Sequence, residues 1–246
     1  MEMSRTATRT RAPKQGLTVL NNEITACHKC PRLVEWREAV AKEKVKRFQG
    51  QKYWGKPVPS FGDPRARLLI LGLAPAAHGG NRTGRIFTGD SSGDWLFRAL
   101  YRAGFSNQPT SVYRGDGLAL RDCYISAAVH CAPPANKPTR DEIQNCRPFL
   151  LREFELLTRL RVIVALGRLA FDTVLASIGS AEEDKADDKK AARRPKPQFK
   201  HDAEIALGRG ITLVASFHPS QQNTFTGKLT EPMLDAVFTR AQRLLG

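Results

Sequence analysis

Residues 67–72 read Arg-Leu-Leu-Ile-Leu-Gly, and three further runs of nearly continuous apolar character follow along the chain. These runs are residues 123–129, 161–167 and 211–217. Such runs, without polar alternation, are typical of strands that are buried on both faces of a parallel sheet. Because segments with helical spacing separate them, the pattern predicts an α/β fold in which helices cover both faces of the sheet.

The segments around these runs predict helices, a tail and an insertion. Residues 139–157 begin with Thr-Arg-Asp-Glu, a capping-box pattern that marks the start of a helix. The other predicted helices are residues 30–48, 92–103, 167–178 and 230–245. Residues 1–16 are basic, hold few apolar side chains and are expected to form a disordered tail. Residues 17–246 are predicted to form one domain that carries a mobile charged insertion at about residues 181–200.

Composition and charge restrict the function. The chain has 246 residues, of which 41% are hydrophobic, and no apolar run approaches the roughly 20 residues of a membrane helix. No secretory signal is visible at the N-terminus, so we expect a cytoplasmic protein without a membrane partner. The formal net charge is +15, which favours a polyanionic partner such as nucleic acid. Charge alone is equally compatible with non-specific basicity.

Four of the five cysteines form two pairs with metal-ligand character. Cys27 and Cys30 are spaced as C-x2-C at the start of a predicted helix, while Cys131 and Cys146 follow the second apolar run. Four such thiolates can hold a tetrahedral zinc ion or a [4Fe–4S] cluster, and the spacing does not decide between them. Cys123 lies inside a predicted strand and is expected to be a small buried side chain.

Two loops at predicted strand ends carry the candidate active site. Residues 72–90 contain five glycines and leave the first strand at its carboxyl end, where open α/β sheets bind ligands. This loop matches neither the P-loop nor the dinucleotide motif. Phe87 is predicted either to stack on a flat ligand or to anchor the loop. His218, which Pro219 follows at the end of the fourth strand, is a candidate catalytic residue.

These elements together resemble the family 5 (B-type) iron–sulfur uracil-DNA glycosylases. The motifs that carry the resemblance are residues 72–76 (Gly-Leu-Ala-Pro-Ala), 84–90 (Gly-Arg-Ile-Phe-Thr-Gly-Asp) and 218–220 (His-Pro-Ser), with the four paired cysteines. The resemblance implies a three-layer α/β/α fold around a four-stranded parallel sheet. It also implies a structural [4Fe–4S] cluster on Cys27, Cys30, Cys131 and Cys146, with zinc as the less favoured alternative.

The resemblance further implies a monofunctional DNA-repair enzyme that hydrolyses the N-glycosidic bond of a flipped base and leaves an abasic site. His218 would donate a hydrogen bond to a base oxygen. Asp90 would activate the water or stabilise the sugar cation, and Asn136 would help to hold the water. The residues expected to contact the base are Gly72, Ala74, Pro75, Phe87 and His218. A helix N-cap is the alternative role for Asp90.

The sequence departs from the wider superfamily at one stretch that orients the water in many relatives and at one position that reads the base. Leu73 and Ala74 stand where many relatives carry a carboxylate or an asparagine. Ala127 stands near the position of a uracil-reading asparagine in the family 4 enzymes. Because a site with fewer polar readers discriminates less, we expect hypoxanthine, hydroxymethyluracil and ethenocytosine as substrates besides uracil.

The expected partner is double-stranded DNA that contains a damaged base, with single-stranded DNA left open. The enzyme is expected to act as a monomer and to associate with a bacterial or archaeal nucleoid. Two other hypotheses fit the residues. One is a metal-stabilised nucleic-acid-binding protein without catalysis, and the other is a metal-containing enzyme that acts on a free nucleobase or nucleoside.

Overall fold

A six-stranded sheet forms the centre of the computed structural model, which describes residues 13–183 and 197–246. The strands are β1 (Phe61–Gly62), β2 (Leu68–Gly72), β3 (Cys123–Ala127), β4 (Val162–Leu166), β5 (Glu204–Ala206) and β6 (Thr212–Ser216). Their order across the sheet is β1-β3-β2-β4-β6-β5. The four central strands are parallel and coincide with the four apolar runs, which confirms the predicted sheet. The short antiparallel edge strands β1 and β5 were not predicted.

Helices cover both faces of this sheet. They are α1 (Pro13–Thr25), α2 (Pro31–Glu43), α3 (Gly80–Thr83), α4 (Ser91–Arg102), α5 (Arg140–Leu156), α6 (Arg168–Glu183), α7 (Gln221–Phe225) and α8 (Glu231–Leu245). Alternate residues of β2 point to opposite faces. Leu68 and Ile70 pack with α4 and α8, while Leu69 and Leu71 pack with α5 and α6. The predicted three-layer α/β/α architecture is therefore confirmed.

Local signals determine where several helices begin and end. The capping box of α5 is present, because the Thr139 side chain accepts from the Glu142 N–H and the Glu142 carboxylate accepts from the Thr139 N–H. The predicted helix over residues 30–48 is interrupted. Helix α2 ends at Glu43, Lys44 takes a left-handed φ of 53°, and a separate 3₁₀ turn follows at Lys46–Phe48.

The N-terminal boundary differs from the prediction. Helix α1 begins at Pro13, inside the predicted tail, and buries Leu17, Leu20 and Ile24 along one face. Residues 1–12 lie outside the described residues, as do residues 184–196 of the predicted charged insertion. Residues 181–183 belong to α6. In the described part of the chain, no helix is both long and apolar enough to cross a membrane.

Candidate active site

The carboxyl ends of the central strands place the predicted motifs at one edge of the sheet. Gly72 is the last residue of β2 and lies opposite Ala127, the last residue of β3. β6 ends at Ser216, opposite Leu166 of β4. Because the four strands are parallel, the loop after Gly72 and the turn that carries His218 leave the sheet on the same side.

Phe87 and His218 form the centre of this edge. Their ring centroids are 5.9 Å apart and their planes are inclined by 34°. A Cβ atom at position 72 would lie 2.8 Å from two atoms of the Phe87 ring, so this close approach requires glycine. Phe87 is itself buried in the core with a left-handed φ of 53°. The ring therefore anchors the loop, as one of the two predictions states, and borders His218, while stacking of Phe87 on a ligand stays a prediction.

His218 combines a neutral ring with free ring nitrogens. Burial lowers the pKa of His218 from its ordinary value of 6.5 to about 4, so the imidazole is neutral at pH 7. Among the described residues, no group forms a hydrogen bond to this ring. The backbone carbonyl of His218 accepts from Asn223 Nδ2 at 2.8 Å, which fixes the turn. His218 as a residue is half-buried and can therefore meet a ligand at the sheet edge.

Asp90 is the N-cap of α4. Its Oδ1 atom accepts from the Gly93 N–H at 3.0 Å, which confirms the alternative predicted from the sequence. The carboxylate lies against the backbone of Gly79, where any side chain would collide with it. Burial raises the pKa of Asp90, while the Gly93 N–H and Arg82 oppose this effect. A role of Asp90 toward water stays a prediction.

The other predicted site residues lie around this centre. Asn136 is exposed on the 3₁₀ turn Pro134–Asn136 and has a left-handed φ of 55°. Within the described residues, no hydrogen bond joins its side chain to Asp90 or His218. Pro75 is buried, and its ring would lie 2.9 Å from a Cβ atom at position 80. Ala74 packs against the cluster that contains Cys131.

Two arginines brace the loop between Gly72 and Asp90 from within. Arg82 donates to the carbonyls of His78 and Gly89, at 2.7 and 2.9 Å, and also to the Gln51 side chain. Arg85 is buried and its Nη2 atom lies 2.7 Å from Asp116 Oδ2. The loop is therefore held in place by side chains of the protein itself, before any ligand binds.

The four predicted metal ligands lie near one another behind this loop. Cys131 and Cys146 share one apolar cluster, and Cys30 packs against it. Cys27 packs against a second cluster, which contains Phe149. Burial and, to a smaller extent, the other three thiols raise the pKa of Cys146 to about 12, against the opposing hydrogen bond from the His130 backbone. Cys123 is buried in the sheet core, as expected.

The cysteine region also buries a cation. Arg37 Nη1 donates to Cys131 Sγ at 3.0 Å and to the Cys27 carbonyl at 3.4 Å. All five cysteines are free thiols. In residues 13–183 and 197–246, no three His, Cys, Asp or Glu side chains form a ready site for a metal ion. The donor set is thus four neighbouring thiols that do not converge on one point.

Sequence reasoning missed two residues of this region. Arg37 lies on α2, and its burial arises from tertiary packing that an amphipathic pattern does not reveal. Phe225 on α7 follows the His218 turn and is 82% exposed. The sequence did contain a signal for Phe225, because its neighbours Thr224, Thr226 and Gly227 are polar or small and offer no apolar partner.

Comparisons with known proteins agree with this geometry. Residues 59–242 match the model of the uracil DNA glycosylase superfamily. The type-5 uracil-DNA glycosylase of Mycobacterium tuberculosis is 51% identical over 228 residues, covering 92% of this chain and 81% of the relative. The type-5 enzyme of Thermus thermophilus is 48% identical over 223 residues, covering 91% of this chain and 95% of the relative.

A more distant group separates clearly from these relatives. The type-4 uracil-DNA glycosylase of Pyrobaculum aerophilum is 29% identical over 205 residues, whereas the type-5 enzyme of the same organism is 44% identical over 233 residues. The second comparison covers 95% of both chains. The chain therefore belongs to the uracil DNA glycosylase superfamily and, within it, to the type-5 uracil-DNA glycosylases.

Proposed function

We propose that this protein hydrolyses the N-glycosidic bond of uracil in DNA and leaves an abasic site. The observation that carries the proposal is the neutral, unpartnered His218 ring beside Phe87, at the carboxyl edge of the sheet. A base inside a duplex cannot reach such a site, so the target nucleotide must be flipped out of the stack. The flat base would then lie against Phe87 with an oxygen toward His218.

His218 is proposed as the donor to the departing base. The glycosidic bond breaks with positive charge on the sugar and negative charge on the base oxygen. A neutral imidazole N–H can stabilise that oxygen as a preoriented hydrogen-bond donor. The lowered pKa of His218, about 4, keeps the ring in this neutral form at the working pH. Protonation of the ring is therefore not part of the proposed step.

The attacking water and the sugar cation are assigned to Asp90 and Asn136. The Asp90 carboxylate accepts from the Gly93 N–H through Oδ1, which orients the group beside the backbone of Gly79. A carboxylate in this position would favour the sugar cation electrostatically. Asn136 lies on an exposed turn with a left-handed φ of 55°, a conformation that asparagine adopts more readily than most residues other than glycine. Its exposed side-chain amide is available to hold the water.

We further propose that the enzyme accepts hypoxanthine, hydroxymethyluracil and ethenocytosine. The support is the lack of polar side chains at the end of the sheet where a residue that recognises the base would lie. Ala127 lies beside Gly72 in the sheet register, and neither residue has a polar side chain. A pocket that recognises few polar groups loses little when the base changes.

The four cysteines are proposed to hold a [4Fe–4S] cluster. Their mutual proximity and the buried Arg37 guanidinium support an anionic group at this place. Zinc is the less favoured alternative, in which the same four sulfurs would surround one ion at about 2.3 Å. When bound, the cluster would supply a structural tie between α1–α2 and the loop after β3.

DNA binding is proposed to occur at the same edge, with the enzyme acting as a monomer on duplex DNA. The net charge of +15 favours phosphate contacts. Exposed Phe225 beside the His218 turn is proposed as an apolar wedge that fills the gap left by the flipped base.

Excision assays on defined lesions test this function. Labelled duplexes with uracil, hypoxanthine, hydroxymethyluracil or ethenocytosine would be incubated with the enzyme and then with alkali, and the absorption spectrum of the same sample would be recorded. We expect alkali-labile sites at uracil and at least one other base, from a brown protein. A colourless protein that binds DNA and excises nothing would instead support the hypothesis of a metal-stabilised binding protein.

A further inference from the structure

The connection between α4 and β3 holds two exposed apolar side chains on an ordered frame. Val112 is 57% exposed and Tyr113 is 58% exposed. The Asp116 carboxylate accepts from the backbone N–H groups of Val112 and Leu118, at 2.8 and 3.1 Å, and so closes the tip of this connection. Because the backbone is already ordered, contact between these side chains and a partner costs little conformational entropy.

This tip is fastened to the active-site loop at two points. The Gly89 N–H donates to the Ser111 carbonyl at 2.8 Å. The buried ion pair between Arg85 and Asp116 joins the same two segments at 2.7 Å. Tyr113 is two residues away from Ser111, which is hydrogen-bonded to the loop between Phe87 and Asp90. Since neighbouring Cα atoms are about 3.8 Å apart, the tip lies close to this loop.

The surroundings of the tip are positively charged. The Arg114 guanidinium lies 4.9 Å from the centroid of the Trp54 ring, and the Lys56 amino group lies 6.0 Å from the same ring. An apolar tip with cations beside it matches a nucleic acid strand, which combines apolar base faces with phosphates. A second copy of this chain, with the same net charge of +15, is a poorer match.

We propose that Val112 and Tyr113 form a DNA-contacting tip that packs against nucleotides flanking the flipped base, with Arg114 and Lys56 on the neighbouring phosphates. This inference rests on the proposed glycosylase function, because it takes damaged DNA as the partner. It assigns part of the DNA-contacting surface to the α4–β3 connection, which lies outside the glycine-rich loop, the His218 turn and the cysteines.

The test is a double variant, Val112→Ala with Tyr113→Ala, compared with Tyr101→Ala. Tyr101 is a suitable control because it is 50% exposed and lies at the end of α4 remote from Asp90. Uracil excision would be followed in single turnovers at increasing enzyme concentration. The half-saturating concentration of the double variant should rise about tenfold, as expected for the loss of one stacking contact with a base. The maximal rate should stay within about twofold, as the reacting groups are unchanged.

Three results would overturn the inference. In the first, the half-saturating concentration stays unchanged. In the second, the maximal rate alone falls, which would mean that the tip only supports the active-site loop. The double variant could also change the sedimentation coefficient, which would identify a second copy as the occupant. If the native enzyme excises no base, the proposed function fails separately. Fluorescence anisotropy with a labelled duplex then still tests the tip, and equal affinities of native and double-variant protein would refute it.

Discussion

The active-site loop and the cysteine region each bury an arginine, but the two arginines have different negative partners. Arg85 pairs with the buried carboxylate of Asp116 at 2.7 Å. Arg37 donates to Cys131 Sγ at 3.0 Å, while the Glu38 carboxylate, 3.6 Å from Arg37, is exposed to solvent. A buried charge without a close partner is costly, so each guanidinium needs an anion beside it.

This difference indicates what compensates the buried positive charge in each region. The active-site loop supplies its own counter-ion and its own hydrogen bonds. The cysteine region instead presents a cation to a group of thiols, and thiolates bound to iron would provide the missing negative charge. The two regions meet at Ala74, which lies two residues after Gly72 and packs against the Cys131 cluster. A change at the cysteines is therefore expected to reach the active-site loop.

Replacement of Cys131 by alanine should have the largest effect. The variant should lose bound iron and visible absorption, and most of the protein should become insoluble or unfold well below the native temperature. Cys123→Ala is the matched control, because Cys123 is equally buried but belongs to the sheet core, and it should cost only about 1 kcal/mol. Iron analysis and thermal unfolding provide the measurements. An iron-free Cys131→Ala protein with native unfolding temperature would contradict the structural role of the cluster.

Removal of the Asp116 charge should have the next largest effect. Asp116→Asn leaves Arg85 buried and unpaired, which should cost roughly 3–5 kcal/mol of unfolding free energy. Arg98→Ala is the control, since the side chains of Arg98 and its partner Glu231 are 39% and 42% exposed and such solvated pairs contribute about 0–1 kcal/mol. Urea titration of both variants at pH 7 provides the comparison. Equal losses would show that the active-site loop does not depend on its internal ion pair.

The pH dependence of this loss follows from the pKa of Asp116. Burial raises that pKa, but hydrogen bonds from Arg85 and from the Val112 and Leu118 N–H groups lower it from 3.8 to about 2. A lowered folded-state pKa stabilises the protein above pH 3.8, and the contribution disappears as the pH falls to about 2. The difference between native protein and Asp116→Asn should therefore shrink over this interval. A difference that persists below pH 2 would contradict the assignment.

His218→Ala should reduce the single-turnover rate of excision about 100- to 1000-fold, as expected for the loss of one preoriented donor. The affinity for uracil-containing DNA should change little, because the DNA contacts remain. With a pKa of about 4, His218 stays neutral from pH 5 to 8 and should add no inflection to the rate in that range. An inflection near pH 6.5 that disappears in His218→Ala would show that the protonated ring takes part.

The parts of the fold that the sequence predicted are those in which local pattern and burial agree. Four apolar runs became the four parallel strands, and the capping box at Thr139 began α5. Strand β1 was missed because it has two residues, which pair with β3 through a contact distant in sequence. Helix α1 was missed because its basic beginning resembles a tail, although its apolar residues recur at helical spacing.

The residues of the candidate site likewise fall into those that the sequence predicted and those that depend on tertiary contacts. Phe87 and His218 were predicted from strand ends, and parallel pairing brings their rings together. Arg37 could not be predicted, because burial of an arginine depends on the partners that α2 meets in the folded chain. The exposure of Val112 and Tyr113 likewise depends on the frame that Asp116 supplies. Charge partners and exposed surfaces arise from tertiary contacts, whereas strand ends arise from the order of elements.

Phe225→Ala should have the smallest effect, and it separates wedge insertion from chemistry. Because an inserted side chain offsets the cost of unstacking a base in a duplex, excision from duplex DNA should fall about tenfold. Single-stranded DNA requires no such compensation, so excision of uracil from it should be nearly unchanged. Phe225→Leu retains an apolar side chain and should preserve most of the duplex activity. Equal losses on both substrates would instead indicate that α7 positions His218, through the Asn223 contact with its backbone.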